Sequence, residues 1–289
     1  MLESVPNVSA GRDRSAVRAL ESACGAALLD VHVDDDHNRS VFTLAGPAAD
    51  DAARATAALA RAVAGRVSLA GHAGVHPRLG ALDVVPFVAL EGGDDARAAA
   101  VLDARAFGVW WSETFAVPVF FYDDADERNR DLPSVRRDAF VARPPDCGPP
   151  VPHPELGATA VGARRPLVAI NCELTTDDVA IARAIATRVR GRDGGVPGVR
   201  ALGFGLEWPA RAQVSMNVTD LARAGIEVAC TAVRDEAERR GTAVAVVELV
   251  GLVPEAELAR CSRAFLAWSG LSHTSTIETR LRRVLGSED

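Results

Sequence analysis

The sequence contains no lysine, so all 32 basic residues of this 289-residue chain are arginines. This absence excludes Schiff-base chemistry on a lysine and the phosphate-binding loop that depends on one. It favours planar anions such as carboxylates as ligands, because the guanidinium group is a rigid two-pronged donor.

Long apolar runs and an excess of positive charge are also missing. No run approaches the roughly 20 apolar residues that cross a bilayer, and the N-terminus has no basic segment followed by an apolar one. The net charge is −7, whereas a nucleic-acid protein needs a basic face for phosphates. We therefore expect neither a membrane nor a nucleic acid as a partner.

Cysteine is scarce and scattered. The five cysteines form an odd number, and no two of them are close in sequence. A disulfide framework or a cysteine-based zinc site therefore does not fit, whereas the reducing cytoplasm does.

The order of apolar runs and alanine-rich segments predicts an α+β fold. From residue 166 onward the predicted order is βαββαβ, and residues 1–165 begin the same way before adding a helix and a strand. We therefore predict two ferredoxin-like subdomains, residues 1–165 and 166–289, with mixed β-sheets covered by helices. Residues 126–154 are interpreted as an ordered loop that joins the two halves, and residues 157–165 as small residues before a strand. Pro86 predicts a weakened strand or one at a sheet edge.

Residues 71–87, GHAGVHPRLGALDVVPF, place two histidines among glycines just before an apolar strand. Gly74 and Pro77 argue against the helix that a His-x-x-x-His metal motif requires, so we expect no metal. His72 is interpreted as a loop residue that hydrogen-bonds to backbone. Pro77 holds His76 extended, and the charge of the adjacent Arg78 would lower its proton affinity, which makes His76 a candidate base.

Two further stretches carry polar side chains. Asn38 and Arg39 leave a polar turn and enter a strand that is predicted to be buried, where an arginine needs a carboxylate from the protein or from a ligand. Residues 212–217 place Gln213, Ser215 and Asn217 on one strand face. A solvent-facing surface is the simpler interpretation of that face, and a binding site is the alternative.

Six blocks of the sequence, in this order along nearly the whole chain, resemble the glutamate formimidoyltransferases, folate enzymes of histidine breakdown. The blocks are ESVPNVSAGR (3–12), DHNRSVFTL (36–44), HPRLGALDVVPF (76–87), GATAVGAR (157–164), AQVSMN (212–217) and ELVGLVP (248–254).

The resemblance implies transfer of a formimino group from N-formimino-L-glutamate to N5 of tetrahydrofolate, which serves as co-substrate. It implies two formiminotransferase-like subdomains with a folate cleft between them, the first carrying the catalytic histidine, and a homodimer. His76 matches that catalytic histidine, the general base and acid. The glycine-bounded folate loop of the family falls on residues 148–157. The implied substrate-binding residues are Asn38, Arg39, Arg78, Gly148, Gly157, Gln213 and Asn217.

The chain departs from animal members of the family, which have acidic residues where it has His32 and Val75, and an aromatic residue where it has Leu156. Two alternatives therefore stay open: a non-catalytic relative that binds folate or another anionic metabolite, and a transferase that uses another one-carbon donor such as N-formylglutamate. A metal-dependent hydrolase that uses His72, His76 and the cluster at residues 34–37 is a third.

Overall fold

The computed structural model describes residues 1–207 and 209–286. The chain divides into two compact units, unit 1 with Met1–Arg165 and unit 2 with Pro166–Arg283. Each unit has its own apolar core of helices packed on a sheet, so the predicted α+β class is confirmed. No helix in the described part of the chain combines the length and the apolar character that crossing a membrane requires.

Unit 1 is built from strands β1 to β7 and helices α1 to α4. The strands are β1 (Leu2–Ser4), β2 (Asn7–Val8), β3 (Leu28–Asp34), β4 (Arg39–Ala45), β5 (Leu82–Ala89), β6 (Val119–Asp123) and β7 (Thr159–Arg164). The helices are α1 (Arg14–Cys24), α2 (Asp51–Ala64), α3 (Gly93–Phe115) and α4 (Leu132–Asp138).

The sheet of unit 1 has the order β1-β4-β2-β5-β7-β6, and β3 pairs with β4. Strand β7 runs parallel to both β5 and β6, whereas the other pairs are antiparallel. The sheet is therefore mixed, as predicted. The short helix α4 lies inside the segment that the sequence predicted to be an ordered loop.

Strand β7 was missed, because residues 157–165 were interpreted as small residues before a strand. The strand is buried on both faces, so its side chains show no alternation between apolar and polar. Its small side chains make room for aromatic neighbours: a Cβ added to Gly162 would lie 2.5 Å from the Tyr122 ring. Close packing, rather than β-propensity, therefore selects these residues.

The alternative that Pro86 marks a sheet edge is wrong, since β5 has neighbours on both sides. The Pro86 carbonyl accepts from the Val5 N–H over 3.2 Å. In a strand, the amide nitrogen and carbonyl of one residue point to the same side. The missing N–H of Pro86 therefore faces the break between β1 and β2, where the ladder is already interrupted at Val5 and Pro6.

Unit 2 follows the predicted βαββαβ order and ends in three short helices. Its strands are β8 (Val168–Leu174), β9 (Val199–Leu206), β10 (Arg211–Val218) and β11 (Val244–Val250). Its helices are α5 (Val179–Val189), α6 (Ile226–Glu238), α7 (Glu255–Ala259), α8 (Arg263–Ser269) and α9 (Ile277–Val284). The strand order is β11-β8-β10-β9 with antiparallel pairs throughout, so the predicted mixed sheet is wrong for this unit.

Candidate active site

The turn between β3 and β4 is fastened to the loop at residues 71–78 by Asn38. Its Oδ1 accepts from the N–H groups of Gly11 and Arg12 over 3.0 and 3.1 Å, and its Nδ2 donates to the Ala73 carbonyl over 3.0 Å. Asn38 has a φ of +46°, which asparagine tolerates better than most residues. The amide of Asn38 thus holds three backbone segments together and has one N–H hydrogen left for other contacts.

His76 is a neutral imidazole with a defined tautomer. Its Nδ1 lies 2.7 Å from the Pro77 carbonyl oxygen. Because a carbonyl can only accept, Nδ1 carries the hydrogen and Nε2 is the basic nitrogen. Burial, followed by the charges of Arg39 and Arg136, lowers the pKa of His76 to about 3. The sequence analysis attributed the lowered proton affinity of His76 to Arg78, two residues further along the chain. In the structure, the charges that lower its pKa most are those of Arg39 and Arg136, which are more distant in sequence.

Asp83, at the start of β5, is a fully buried carboxylate that joins this site together. It accepts from Arg39 Nη1, Arg136 Nη2 and the Leu79 N–H, each over 2.6 Å. Burial by itself would raise the pKa of Asp83, but the two guanidinium groups and these hydrogen bonds hold it well below its usual range. Arg39 also donates to Asn7 Oδ1 over 2.9 Å. The carboxylate that the sequence required for Arg39 is therefore supplied by the protein.

Arg136 on α4 is the site residue that the sequence did not reveal. Its Nη1 donates over 3.1 Å to the Pro77 carbonyl, the same oxygen that holds His76 Nδ1. A chain of contacts therefore runs from Asp83 through Arg136 and Pro77 to His76. The available signal was the helix start at Asp131, which caps the Ser134 N–H over 3.1 Å, with a proline in the first turn.

Arg78 and His72 shape the same loop. Arg78 donates to His72 Nδ1 and, through Nη2, to the carbonyls of Gly74 and His76 over 2.8 and 2.7 Å. His72 Nε2 lies 3.2 Å from the Asn38 carbonyl, so both ring nitrogens of His72 are engaged within the protein. This supports the structural interpretation of His72. The loop lines an open concavity of about 510 Å³, formed by Leu69, His72, Ala73, Gly74, His76, Pro77 and Arg78.

The segment between Gly148 and Gly157 lies against this loop at its C-terminal end. Gly157 and His153 exchange two backbone hydrogen bonds of 2.8 Å, and the Ala158 N–H donates to the Leu79 carbonyl over 3.0 Å. Gly157 has a φ of +69°, and a Cβ there would overlap the Leu79 carbonyl oxygen. Gly148 follows Cys147, which pairs with Val119 at the start of β6. Glycine at 157 thus lets the segment approach the residues that follow Arg78.

Gln213 and Asn217 belong to unit 2, whereas the structure brings Asn38, Arg39, His76 and Arg78 together in unit 1. On β10 the alternate residues enter the apolar core of unit 2, and Gln213 and Asn217 lie on the opposite face. Asn217 is exposed, but Gln213 is only 1% exposed and its Oε1 accepts no hydrogen bond from the described residues. The solvent-facing interpretation is therefore wrong for Gln213.

Comparisons with known proteins agree with the resemblance seen in the sequence. Residues 1–164 match the family described as formiminotransferase domain, N-terminal subdomain, and residues 169–285 match the formiminotransferase domain. A glutamate formimidoyltransferase of Thermoplasma acidophilum is 34% identical over 100% of this chain and 99% of its own. One from Streptococcus pyogenes is 35% identical over 92% of this chain and 93% of its own. A formimidoyltransferase-cyclodeaminase of Mus musculus is 35% identical over 88% of this chain and 50% of its own.

Proposed function

The chain belongs to the formiminotransferase domain family, and from that premise we propose that it transfers a formimino group from N-formimino-L-glutamate to N5 of tetrahydrofolate. This activity makes it a transferase of one-carbon metabolism and histidine degradation. The observation that carries the proposal is His76, a neutral imidazole with its hydrogen on Nδ1, which lines an open concavity.

His76 acts as general base and then as general acid. N5 of tetrahydrofolate attacks the formimino carbon, and His76 Nε2 removes the N5 proton as the new C–N bond forms. The bond between that carbon and the glutamate nitrogen then breaks, and His76 returns the proton to the departing nitrogen. A site that lowers the proton affinity of His76 keeps the base available and makes the protonated form a ready donor. Holding both substrates side by side supplies much of the remaining acceleration.

The arginines and amides of the site divide into two groups. Arg78 lines the concavity and is our candidate for holding a substrate carboxylate. Its hydrogen-bond partners there, His72 Nδ1 and the Gly74 carbonyl, are neutral and do not balance its positive charge. Arg39 and Asn38 contribute through the positions they fix, because most of their donors are engaged within unit 1.

Folate binding is assigned to the segment from Gly148 to Gly157 and to Gln213 and Asn217. Gln213 Oε1 supports this assignment, because it is buried and accepts no hydrogen bond from the residues that the structure describes, which costs free energy that a ligand N–H would recover.

We propose ferredoxin-like subdomains at residues 1–165 and 166–289, the first carrying His76; the βαββαβ order of unit 2 supports this. We also propose a homodimer, as the resemblance to the family implies. A cytoplasmic location is supported by the five cysteines, which are all free thiols.

The test is a transfer assay with tetrahydrofolate and N-formimino-L-glutamate, read as the absorbance of the methenyl product after acidification. We expect product from the wild type, none above background from His76→Ala, and wild-type turnover from His273→Ala, a matched change at an exposed position in unit 2. A wild type without product would refute the proposed reaction, and a parallel reaction with N-formyl-L-glutamate would then test the other donor. An active His76→Ala variant would refute only the role of His76.

A further inference from the structure

A second histidine lies beside His76 and is bound to a carboxylate. His37 Nδ1 lies 2.5 Å from Asp34 Oδ2, and the His37 backbone N–H donates to Asp34 Oδ1 over 2.8 Å. The two side chains are 7% and 17% exposed. Although burial alone would raise the pKa of Asp34, its hydrogen bonds with His37 lower it, so the carboxylate is ionised and can only accept. The ring of His37 is therefore fixed with its hydrogen on Nδ1.

This pair is held against the loop that carries His76. The Val75 N–H donates to the Asp36 carbonyl over 3.3 Å, and Asn38 Nδ2 donates to the Ala73 carbonyl. These bonds fasten the turn to the loop on both sides of His37. The rings of His37 and His76 meet edge to face, with centroids 5.9 Å apart and planes at 66°.

We propose that Asp34 and His37 form a carboxylate–imidazole pair that positions His76 and stabilises the positive charge it acquires while it holds the proton. The inference rests on the proposed transfer reaction and adds two positioning residues to it. His37 fixes the plane of the His76 ring by direct contact. Asp34 fixes His37 and supplies a negative charge one imidazole away from His76.

The charges of Arg39, Arg136 and Asp83 together do not stabilise a protonated His76. A protonated His76 lies near the guanidinium groups of Arg39 and Arg136, and both disfavour a further positive charge. Asp83 opposes them, but it is shared between these two arginines. Asp34 is a second carboxylate, reached through the ring of His37.

The experiment compares Asp34→Asn, His37→Phe and the double variant in the transfer assay. His37→Phe keeps an aromatic ring against His76 but removes the nitrogen that binds Asp34. Asp35→Asn is the matched control, because it neutralises the next carboxylate of the same turn, whose partner is Arg14 at the surface. We expect each single change to lower kcat roughly 10- to 100-fold with little change in KM, and the double variant to fall no further. Asp35→Asn should keep the wild-type kcat.

Proton NMR detects the Asp34–His37 pair independently of catalytic turnover. The hydrogen bond between His37 Nδ1 and the Asp34 carboxylate predicts a downfield ring N–H proton signal in the wild type and in Asp35→Asn, lost in Asp34→Asn and His37→Phe. Wild-type kcat in His37→Phe, additive losses in the double variant, or an effect on KM alone would overturn the inference. If the wild type forms product and the variants are as active as the wild type, only this inference is refuted. If the wild type forms no product, the proposed function is refuted as well.

Discussion

Replacing Asp83 with asparagine would remove the negative charge from between two largely buried guanidinium groups. The carboxylate accepts three hydrogen bonds of 2.6 Å, from Arg39, Arg136 and the Leu79 N–H. An asparagine retains one acceptor oxygen and turns its NH₂ group toward donors, so at least one arginine loses its partner. Removing one member of a buried ion pair costs about 3–5 kcal/mol, because the other member stays buried and uncompensated. For a unit of this size the loss corresponds to roughly 6–20 °C in thermal midpoint.

Hydrogen–deuterium exchange with mass spectrometry is the suitable assay, because it reports each unit separately. We expect peptides of unit 1 in Asp83→Asn to exchange faster, whereas peptides of unit 2 keep wild-type rates. Asp94→Asn is the matched control, since that carboxylate is 99% exposed and its ion pair with Arg97 spans 3.6 Å. Its effect should stay within about 0.5 kcal/mol. A loss of less than about 1 kcal/mol in Asp83→Asn would refute the reasoning that this carboxylate holds the site together.

Two further changes probe the site and the segment that packs on it. Arg136→Met removes the donor to the Pro77 carbonyl, which holds His76 Nδ1, so kcat/KM should fall. It also removes a charge that lowers the pKa of His76, so the acid limb of kcat/KM should move to higher pH, whereas the exposed Arg137→Met should leave the pH profile in place. An unmoved acid limb in Arg136→Met would contradict this electrostatic account. Gly157→Ala should lower the free energy of unfolding, measured by thermal denaturation, by about 2–5 kcal/mol, from left-handed strain plus overlap with the Leu79 carbonyl. Gly194→Ala shares the positive φ but has open space around it, so it should cost only about 1–2 kcal/mol, and equal losses would refute the overlap.

The site residues that the sequence predicted are either neighbours along the chain or matches to the blocks that resemble the family. His76, Pro77 and Arg78 are consecutive, so their proximity needed no knowledge of the fold. Arg136 and Asp83 are 53 residues apart, and only the folded structure brings them together. A signal was nevertheless present, because Asp83 is an isolated acid in an apolar strand and such a buried charge requires a partner.

The fold was predictable where the polar and apolar pattern reflects one exposed face, and it was missed where burial is complete. Strand β10 alternates because one face enters the core of unit 2, and it was predicted. Strand β7 is buried on both faces and consists of small residues, so neither its periodicity nor its composition identified it. Pro86 is tolerated inside β5 because it lies opposite the break between β1 and β2. These two strands are remote from Pro86 in sequence, so the break could not be seen from the residues around it.

Strand β7 lies between β5 and β6, although it follows both of them in the chain. During synthesis, β5 and β6 therefore leave the ribosome before the six residues that will join them. Until then each strand has an open row of N–H and C=O groups, a template for pairing with another chain. The arrival of Thr159–Arg164 fills both rows, from Val84 to Val88 on one side and from Val119 to Asp123 on the other. The join between β5 and β6 thus requires the chain to be synthesised beyond residue 164, and a nascent chain shorter than this keeps both rows open to aggregation.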